Sequence, residues 1–466
     1  MTDLYQLTMM NGYFLKGKAK DECVFDLFFR QKDTMNYAVF AGLDQAVDYI
    51  DNLHFSKDDI EYLRSLGTFH SDFLDFLEGF RFTGDMYSVR EGDIVYPQEP
   101  IIVVKAPLIE AQLIETALLN IISHQTLIAT KSSRIVHAAN GKSVVEFGLR
   151  RAQGPDAGIY GARAAVIGGC NGTSNVLTGQ MFNIPVKGTH SHSWVMSYGS
   201  ELEAFRAFAE VYPDSCLLLV DTYDTVQGIK NAITVFKELS SSGHKPIGIR
   251  LDSGDLAYLI KLARRMLDEA GFKSAIVMAS GDIDEYLLES LHNQGAKIDV
   301  FGVGTKLITS EDMPSLGGVY KLSAIERDGV LEPRMKISDS IVKVTNPGLK
   351  TLYRLYDKSG MAVADLIALE GEEIAKPLTL THETERWKTT TLEDYDIRKM
   401  LYKIFEKGKN IYDAPALDDI VKFANEEKSK FWDEYRRIDN PHIYKVNLSD
   451  KLYELKQSIL KEHKSR

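Results

Sequence analysis

The feature that most restricts the fold of this 466-residue chain is a series of six short apolar segments that alternate with helical patterns after Lys142. Such runs are typical of buried parallel strands, and their alternation with helices is typical of βα units around a parallel sheet. The predicted strands are residues 143–147, 184–187, 216–220, 247–251, 275–279 and 298–303. The sequence therefore predicts an α/β fold that is either a barrel or an open doubly wound sheet.

A tail of polar residues or glycine follows each of these apolar runs. The tails are residues 148–151, 188–194, 221–224, 252–255, 280–284 and 304–306. In parallel β/α folds the reactive groups lie at the carboxyl ends of the strands, so tails that are distant in sequence meet at one edge of the sheet. The sequence therefore predicts one functional site built from six strand ends.

The segment before this region mixes strand and helix patterns. A strand is expected at 24–29, helical patterns extend over 38–75, extended pairs cover 84–105, and one long buried helix is expected over 108–128. This order of elements predicts an N-terminal α+β domain over residues 1–140.

The remaining chain divides into two further predicted parts. A catalytic α/β domain is expected over 141–345, and extended segments are expected at 318–325 and 351–357. The charged tail 390–465 alternates Lys, Glu and aromatic residues, which favours a solvated helical layer. We therefore expect a C-terminal segment, 346–466, that packs back on the N-terminal domain.

Composition and charge argue against several classes of function. The net charge of −11 disfavours binding along a nucleic-acid backbone, which requires clustered Lys and Arg. No window approaches the roughly 18 apolar residues that a membrane span needs, and no signal peptide is recognisable, so a cytoplasmic protein is expected. The three cysteines lack metal-type spacing, which fits a reducing compartment. A small anionic substrate held by a few cations remains compatible with these features.

The segment Arg250-Leu251-Asp252-Ser253-Gly254 ends one predicted strand and precedes a helical pattern. The planar guanidinium of Arg250 can bind a carboxylate or phosphate through charge-assisted bonds worth about 1.5–3 kcal/mol each. Asp252 can bind ribose hydroxyls or a magnesium-bound phosphate. A capped strand-to-helix turn with an ion pair accounts for the same residues, so spacing alone leaves both interpretations open.

Two glycine turns and a pair of arginines follow other predicted strands. Backbone amides near Gly304 and, more weakly, near Gly281 can approach a phosphate closely, although tight turns without a ligand have the same pattern. Arg150 and Arg151 are adjacent, and adjacent side chains diverge, so one of them is expected to face a ligand. We favour Arg150.

The segment His190-Ser191-His192 has three interpretations. The histidines can be zinc ligands, as in barrel hydrolases of the amidohydrolase type, but later strand ends supply aspartates and no further histidine. They can be structural residues. One of them can also be a nucleophile, because a neutral imidazole attacks a phosphoryl group and gives a phosphoramidate.

Four segments in order carry a resemblance to a known family: 2–9, 188–192, 250–256 and 301–305. Over essentially the whole chain the sequence resembles nicotinate phosphoribosyltransferases. The resemblance implies ATP-assisted transfer of a phosphoribosyl group from phosphoribosyl pyrophosphate to nicotinate, with release of pyrophosphate, in NAD salvage. It also implies an incomplete α/β barrel with an N-terminal α+β domain, a C-terminal helical tail, and a homodimer with the active site at the subunit interface.

The resemblance also implies roles for individual residues. His192 matches the histidine that ATP phosphorylates, Thr189 and Arg250 match nicotinate contacts, and Thr305 matches a contact to the ribose phosphate. Tyr5 matches an aromatic residue that packs on the nicotinate ring from the neighbouring subunit. The predicted substrate-binding residues are therefore Tyr5, Thr189, Arg250, Thr305, Arg150, Asp252, Gly281 and Gly304.

The expected co-substrate is ATP and the expected metal ion is Mg²⁺, whose ligands the sequence leaves open between Asp221 and Asp252. In related nicotinamide enzymes an aspartate follows the Gly-Thr pair, whereas this chain has His190, so no carboxylate repels nicotinate and His190 is expected to act in selectivity. Two alternatives are a metal-dependent barrel hydrolase that uses His190 and His192, and a nucleotide sensor without turnover.

Overall fold

The computed structural model describes residues 1–30, 35–339 and 343–464, and the chain divides into two compact units. The first unit is Met1–Leu127 with Ser315–Arg466, and the second is Ile128–Pro314. Residues 31–34 of the predicted N-terminal domain, 340–342 of the predicted catalytic domain, and 465 and 466 of the predicted C-terminal segment lie outside the described residues.

The amino-terminal part of the first unit combines short helices with antiparallel strands. Its helices are α1 Leu4–Leu15, α2 Leu43–Asp51, α3 Lys57–Ser65, α4 Ser71–Leu77, α5 Leu108–Leu113 and the start of α6 Glu115–Ala138. Its strands are β1 Glu22–Phe29, β2 Ala38–Val39, β3 Asp85–Ser88, β4 Ile94–Val95 and β5 Ile102–Pro107. The predicted strand and extended pairs are confirmed. The single helix predicted over 108–128 is wrong in its bounds, because α5 ends at Leu113 and α6 continues to Ala138.

The second unit alternates strands and helices along the sequence. Its strands are β6 Ser143–Glu146, β7 Leu217–Leu219, β8 Gly248–Leu251, β9 Ile276–Gly281 and β10 Val300–Val303. Its helices after α6 are α7 Pro155–Ile167, α8 Val176–Phe182, α9 His192–Met196, α10 Glu201–Val211, α11 Thr225–Ser241, α12 Leu256–Glu269, α13 Glu285–Asn293 and α14 Thr305–Ile308, with 3-10 turns at Leu149–Arg151 and Pro213–Ser215.

The five strands of the second unit form one parallel sheet in the order β6-β10-β9-β8-β7. Most of their residues are buried, which explains why they read as continuous apolar runs rather than as alternating patterns. The strands expected from the sequence are confirmed except for 184–187, which contributes only a single bridge between Val186 and Thr173. All five carboxyl ends lie at one edge of the sheet, because parallel strands point the same way.

The carboxyl-terminal part of the first unit is mainly extended. Its strands are β11 Gly318–Arg327, β12 Val330–Pro333, β13 Lys350–Tyr356, β14 Ala362–Leu369, β15 Leu378–Thr381, β16 Thr389–Leu392, β17 Asp396–Lys399, β18 Tyr402–Glu406, β19 Lys409–Asn410 and β20 Val446–Leu448. Its helices are α15 Leu417–Ser429, α16 Asp433–Arg436 and α17 Asp450–Lys464. The expectation of a helical tail over 390–465 is therefore wrong in part, because strands β17 to β20 lie within it.

Two sheets organise the first unit. A seven-stranded sheet has the order β12-β11-β1-β5-β3-β18-β19, and a four-stranded sheet has the order β17-β13-β14-β20. The seven-stranded sheet thus combines strands from both ends of the sequence, with β1 antiparallel to both β5 and β11. None of the described helices is both long and apolar enough to cross a membrane.

A glycine in α11 fixes how closely this helix approaches the end of β7. A Cβ atom at Gly228 would lie 2.0 Å from the carbonyl oxygen of Val220 and 3.2 Å from Oε2 of Glu201. Val220 directly precedes Asp221, which begins one of the polar tails. The absence of a side chain at Gly228 therefore allows the helix to pack against the strand end that carries this tail.

We expect Gly228→Ala to lower the free energy of unfolding by about 1–3 kcal/mol, because the added methyl group forces the strand end and the helix apart. Urea denaturation measures this change. The matched control is Gly12→Ala in α1, where an added Cβ meets no atom within 4 Å and helix propensity favours alanine. Equal stability of Gly228→Ala and the wild-type chain would contradict the close approach.

Candidate active site

The side chain of Arg250 joins three segments at the carboxyl edge of the parallel sheet. Its Nε atom donates to Oγ of Ser280 at 2.7 Å, and Nη2 donates to Oδ1 of Asp252 at 2.9 Å. Nη1 donates to Oγ1 of Thr189 at 3.4 Å. An arginine has five N–H groups, so two remain for a ligand after these three bonds. The Phe147 ring lies 5.6 Å from the guanidinium carbon and covers another side of this cation.

Asp252 is the counter-charge of Arg250. Its Oδ1 atom also accepts a hydrogen bond from Oγ of the buried Ser280 at 2.6 Å. Burial raises the pKa of Asp252, but the hydrogen bonds from Ser280 and Arg250 outweigh burial and hold the pKa below its usual value. Asp252 therefore stays ionised at neutral pH and keeps the guanidinium oriented.

Asp221 fixes the backbone of the neighbouring turn. Its Oδ2 atom accepts three hydrogen bonds of 2.8 Å each, from the backbone N–H groups of Asp252 and Ser253 and from Oγ of Ser253. Its Oδ1 atom is buried and has no hydrogen-bond partner among the described residues. One carboxylate oxygen thus ties the end of β7 to the turn after β8, and the other is available to a bound group.

His192 and Thr222 form a contact between two strand tails. His192 is the first residue of α9, and its Nδ1 atom lies 3.1 Å from Oγ1 of Thr222, which follows β7. Both side chains are partly buried. The other ring nitrogen of His192 has no hydrogen-bond partner among the described residues and can face an incoming group.

His190 has different surroundings. Its Nε2 atom accepts the backbone N–H of Leu219 at 3.3 Å, and its Nδ1 atom lies 3.3 Å from the carbonyl oxygen of Ser191. The ring packs edge-on against Phe208 with 4.7 Å between centroids. Burial, together with the nearby charge of Arg250, lowers the pKa of His190 to about 4, so the ring is neutral. Both of its nitrogens contact backbone groups. These contacts support the interpretation of His190 as a structural residue.

These contacts do not support the alternative of a metal-dependent hydrolase that uses His190 and His192. His190 is occupied by backbone contacts, and the described part of the chain contains no group of three or more His, Cys, Asp or Glu residues placed to hold a metal ion. A zinc site needs at least three protein ligands with a suitable geometry.

The glycine turns lie next to each other because β9 and β10 are paired. Val303 at the end of β10 is in register with Gly281 at the end of β9. Gly281 has a φ of +115°, and a Cβ atom there would lie 2.6 Å from the carbonyl oxygen of Asp252, so only glycine fits without strain. Gly304 precedes the short helix α14, and Thr305 is its first residue.

Lys306 holds these two turns together. Its Nζ atom donates to Oδ2 of Asp284 at 2.8 Å, which joins the start of α14 to the residue that caps α13. Burial raises the pKa of Asp284, but the hydrogen bond from Lys306 and the cap outweigh it and lower the pKa. The lysine is therefore paired, and its charge stabilises the arrangement of the turns.

The remaining predicted residues, Arg150 and Tyr5, have exposed side chains. Arg150 and Arg151 lie in the exposed turn after β6, and neither forms an ion pair with a described residue. Their contacts do not distinguish between them. Tyr5 belongs to the other compact unit, where its side chain is 47% exposed on α1.

Sequence reasoning missed two residues that matter for the geometry. Ser280 connects Arg250 with Asp252, and Thr222 contacts His192. Both lie in tails that the strand pattern had already marked. Their hydroxyl groups carry no pattern of their own, so only the tail position could have indicated them.

Three family models match the chain in order. The model described as nicotinate phosphoribosyltransferase (NAPRTase) N-terminal domain matches residues 1–123. The model of the nicotinate phosphoribosyltransferase (NAPRTase) family matches residues 142–358, and that of the nicotinate phosphoribosyltransferase C-terminal domain matches residues 349–456. Together these matches extend over most of the chain.

Individual relatives match over nearly their full length. The chain is 48% identical over 470 residues to the nicotinate phosphoribosyltransferase of Bacillus subtilis (strain 168), with 100% of this chain and 96% of the relative covered. It is 31% identical over 523 residues to that of Homo sapiens, with 98% and 96% covered. The crystal structure of human nicotinic acid phosphoribosyltransferase superposes with a TM-score of 0.87 at 29% identity, covering 98% of this chain and 100% of that one.

The burial of His190 predicts a specific dependence of stability on pH. Its pKa falls from an ordinary 6.5 to about 4 on folding, so its contribution is complete above pH 6.5 and is lost as the pH falls towards 4. The stability advantage of the wild-type chain over His190→Leu should therefore shrink over this range, by at most about 3 kcal/mol.

Urea denaturation of both chains at several pH values measures this difference. The control is Phe236→Leu, which disturbs the packing of a buried ring against Phe272 in the same unit and removes no titratable group, so its difference in unfolding free energy from the wild type should not change with pH. A constant difference for His190→Leu would contradict the buried neutral ring.

Proposed function

This chain belongs to the nicotinate phosphoribosyltransferase family and has the activity of that family, and we propose that the reaction takes place at the strand ends around Arg250. The family's substrates are nicotinate and phosphoribosyl pyrophosphate. The observation that carries the proposed location is the Arg250 guanidinium, which is held by three segments and keeps two N–H groups free for an anion.

Nicotinate would bind through its carboxylate. The free N–H groups of Arg250 present the planar fork that matches a carboxylate, and the hydroxyl of Thr189, 3.4 Å from Nη1, lies beside it. Asp252 already compensates part of the positive charge of Arg250. Binding of the nicotinate carboxylate would therefore depend on the directed hydrogen bonds from the free N–H groups and not on a large excess of positive charge. Tyr5 of a second copy of the chain would stack on the pyridine ring, which requires a homodimer with the active site at its interface.

Phosphoribosyl pyrophosphate would occupy the adjacent turns. The close approach of Gly281 to the Asp252 backbone and the position of Gly304 and Thr305 at the start of α14 leave backbone amides near a shared edge, where a phosphate can bind. Asp252 would accept hydrogen bonds from ribose hydroxyls. The exposed Arg150, which forms no ion pair with a described residue, would neutralise phosphate charge.

Mg²⁺ fits the donors at this edge. The buried, unpartnered Oδ1 atom of Asp221 and the ionised carboxylate of Asp252 are the hard oxygen ligands that Mg²⁺ prefers, and substrate phosphates commonly supply the others. The ion would neutralise the pyrophosphate leaving group. The residues of the chain would position the ribose and the ring nitrogen for attack and exclude water.

ATP would act through His192. The imidazole lies in the same cluster as Arg250, because His192 follows Thr189 by three residues and contributes to the electrostatic environment of Asp252. A free ring nitrogen can attack the terminal phosphorus of ATP, which forms a phosphohistidine and releases ADP. This phosphorylation would promote binding of phosphoribosyl pyrophosphate.

We also propose that the parallel sheet closes into an incomplete barrel. The bridges Glu146–Thr173 and Thr173–Val186 extend the sheet beyond β6. On the opposite edge, the N–H of Leu219 in β7 is bound by His190, only four residues after Val186. The same chain segment thus contacts both edges of the sheet.

The domain boundaries at 140 and 345 remain our proposal, with the segment 346–466 packing back on the N-terminal domain. The three matched family regions support a division into three parts. The grouping of Met1–Leu127 with Ser315–Arg466 in one compact unit supports the return of the C-terminal segment to the N-terminal domain.

Arg250→Lys keeps the charge but loses the planar fork. We expect kcat/KM for nicotinate to fall about 10- to 100-fold, mainly through KM, because charge-assisted bonds of about 1.5–3 kcal/mol are lost. Steady-state formation of nicotinate mononucleotide from nicotinate and phosphoribosyl pyrophosphate measures this effect. The control is Arg206→Lys, whose side chain pairs with Glu238 on an exposed surface. An unchanged KM in Arg250→Lys would place the carboxylate elsewhere, and no product from the wild-type chain would refute the activity itself.

His192→Asn should abolish the stimulation by ATP while leaving a basal rate of transfer, because the phosphoryl acceptor is removed but the substrate contacts remain. Incorporation of acid-labile phosphate from labelled ATP should also disappear. The control is His244→Asn in the loop before β8, at the opposite end of the strand, where the ring contacts Asp214. If His192→Asn is still phosphorylated and still stimulated, the acceptor is another residue.

A further inference from the structure

Thr222 contacts the proposed phosphoryl acceptor but has no role in the reaction described above. Its Oγ1 atom lies 3.1 Å from Nδ1 of His192, and it is the only hydrogen-bond partner of that ring among the described residues. The two residues are 30 positions apart in the sequence. The contact is therefore a feature of the fold and not of local chain geometry.

The backbone that carries Thr222 is held firmly. Val220 donates its N–H to the carbonyl oxygen of Arg250 at 3.1 Å, and the Asp221 side chain accepts three bonds from the turn after β8. Thr222 follows directly. Its hydroxyl is thus presented from a position that the sheet fixes.

The His192 side chain lacks comparable support from its own segment. It begins a helix of five residues, and the preceding Ser191 is exposed and makes no capping bond through its side chain. A partly buried imidazole at such a position can rotate about its side-chain bonds between several staggered states. An outside contact is needed to select one orientation.

A hydroxyl group is chemically suited to this task. It can accept an N–H or donate to a lone pair, so it keeps its contact with a histidine ring in different protonation states. A carboxylate in the same place would favour the imidazolium form, in which neither nitrogen has a lone pair for attack on phosphorus. A neutral partner orients the ring without this effect.

We propose that Thr222 is a positioning residue for His192, whose hydroxyl holds the imidazole in the orientation in which ATP phosphorylates it. The consequence for phosphorylation rests on the proposed function of His192. The proposed orientation of the ring does not rest on that function, because it follows from the contact between Thr222 and His192 alone.

The first test compares Thr222→Val and Thr222→Ser with the wild-type chain. Valine keeps the branched shape and removes the hydroxyl, whereas serine keeps the hydroxyl. We expect the ratio of ATP-stimulated to ATP-independent transfer to fall at least about fivefold in Thr222→Val and to stay within about twofold in Thr222→Ser. The matched control is Thr234→Val in α11, whose hydroxyl bonds to Lys230 of its own helix and to no other described residue.

The second test observes the ring directly. Selective ¹⁵N labelling of histidine, with His192→Asn used for assignment, reports the protonation and tautomer of the His192 ring by NMR. Thr222→Val should shift these signals, Thr222→Ser should restore them, and Thr234→Val should leave them unchanged. If Thr222→Val does not fold, Thr222→Ala removes the same hydroxyl without placing a methyl group in its position.

The outcomes separate the two claims. Retained ATP stimulation in His192→Asn would refute the phosphohistidine, while a shifted ring signal in Thr222→Val would still support the positioning contact. Unchanged ring signals and an unchanged stimulation ratio in Thr222→Val would overturn the inference. Equal loss of stimulation in the valine and serine variants, with a lowered Tm in both, would also overturn it, because the residue would then be required only for folding.

Discussion

The pairing of Arg250 with Asp252 and Ser280 is the interaction on which the site depends. A largely buried guanidinium is unfavourable unless it is compensated by charge and hydrogen bonds. This one is compensated by Asp252 in the turn after β8, by Ser280 in β9 and by the hydroxyl of Thr189. The requirement for compensation draws three segments together. Because these three segments hold the guanidinium in place, the two remaining N–H groups of Arg250 have a fixed position, in which they can donate to an anion.

The two aspartates at this edge have separate tasks because their surroundings differ. Asp252 pairs with the guanidinium of Arg250 and accepts a hydrogen bond from the hydroxyl of Ser280, so its negative charge is compensated within the chain. Asp221 receives backbone N–H groups through one oxygen and leaves the other unpartnered. The first therefore orients a side chain, whereas the second sets the path of the backbone and retains an oxygen for a bound group.

The sequence predicted those parts of the fold that depend on continuous burial. The strands β6 to β10 are buried enough to appear as apolar runs. The carboxyl ends of these strands and the tails that follow contain Arg250, Asp252 and Gly281, which the structure brings together. Segments whose structure depends on a few long-range contacts were harder to predict. Residues 184–187 form only one bridge, and the charged strands β17 and β18 pair with distant partners, so neither has a clear local pattern.

The two histidines show why spacing alone could not assign the site. Residues i and i+2 of an extended segment point to the same side, which would have placed both rings together as metal ligands. Helix α9 begins at His192, so the backbone changes direction between the two residues. His190 consequently binds the edge of β7 and packs on Phe208, while His192 reaches Thr222 in the adjoining tail. A change in backbone conformation within three residues thus separates His190, which binds β7, from His192, whose second ring nitrogen has no hydrogen-bond partner among the described residues.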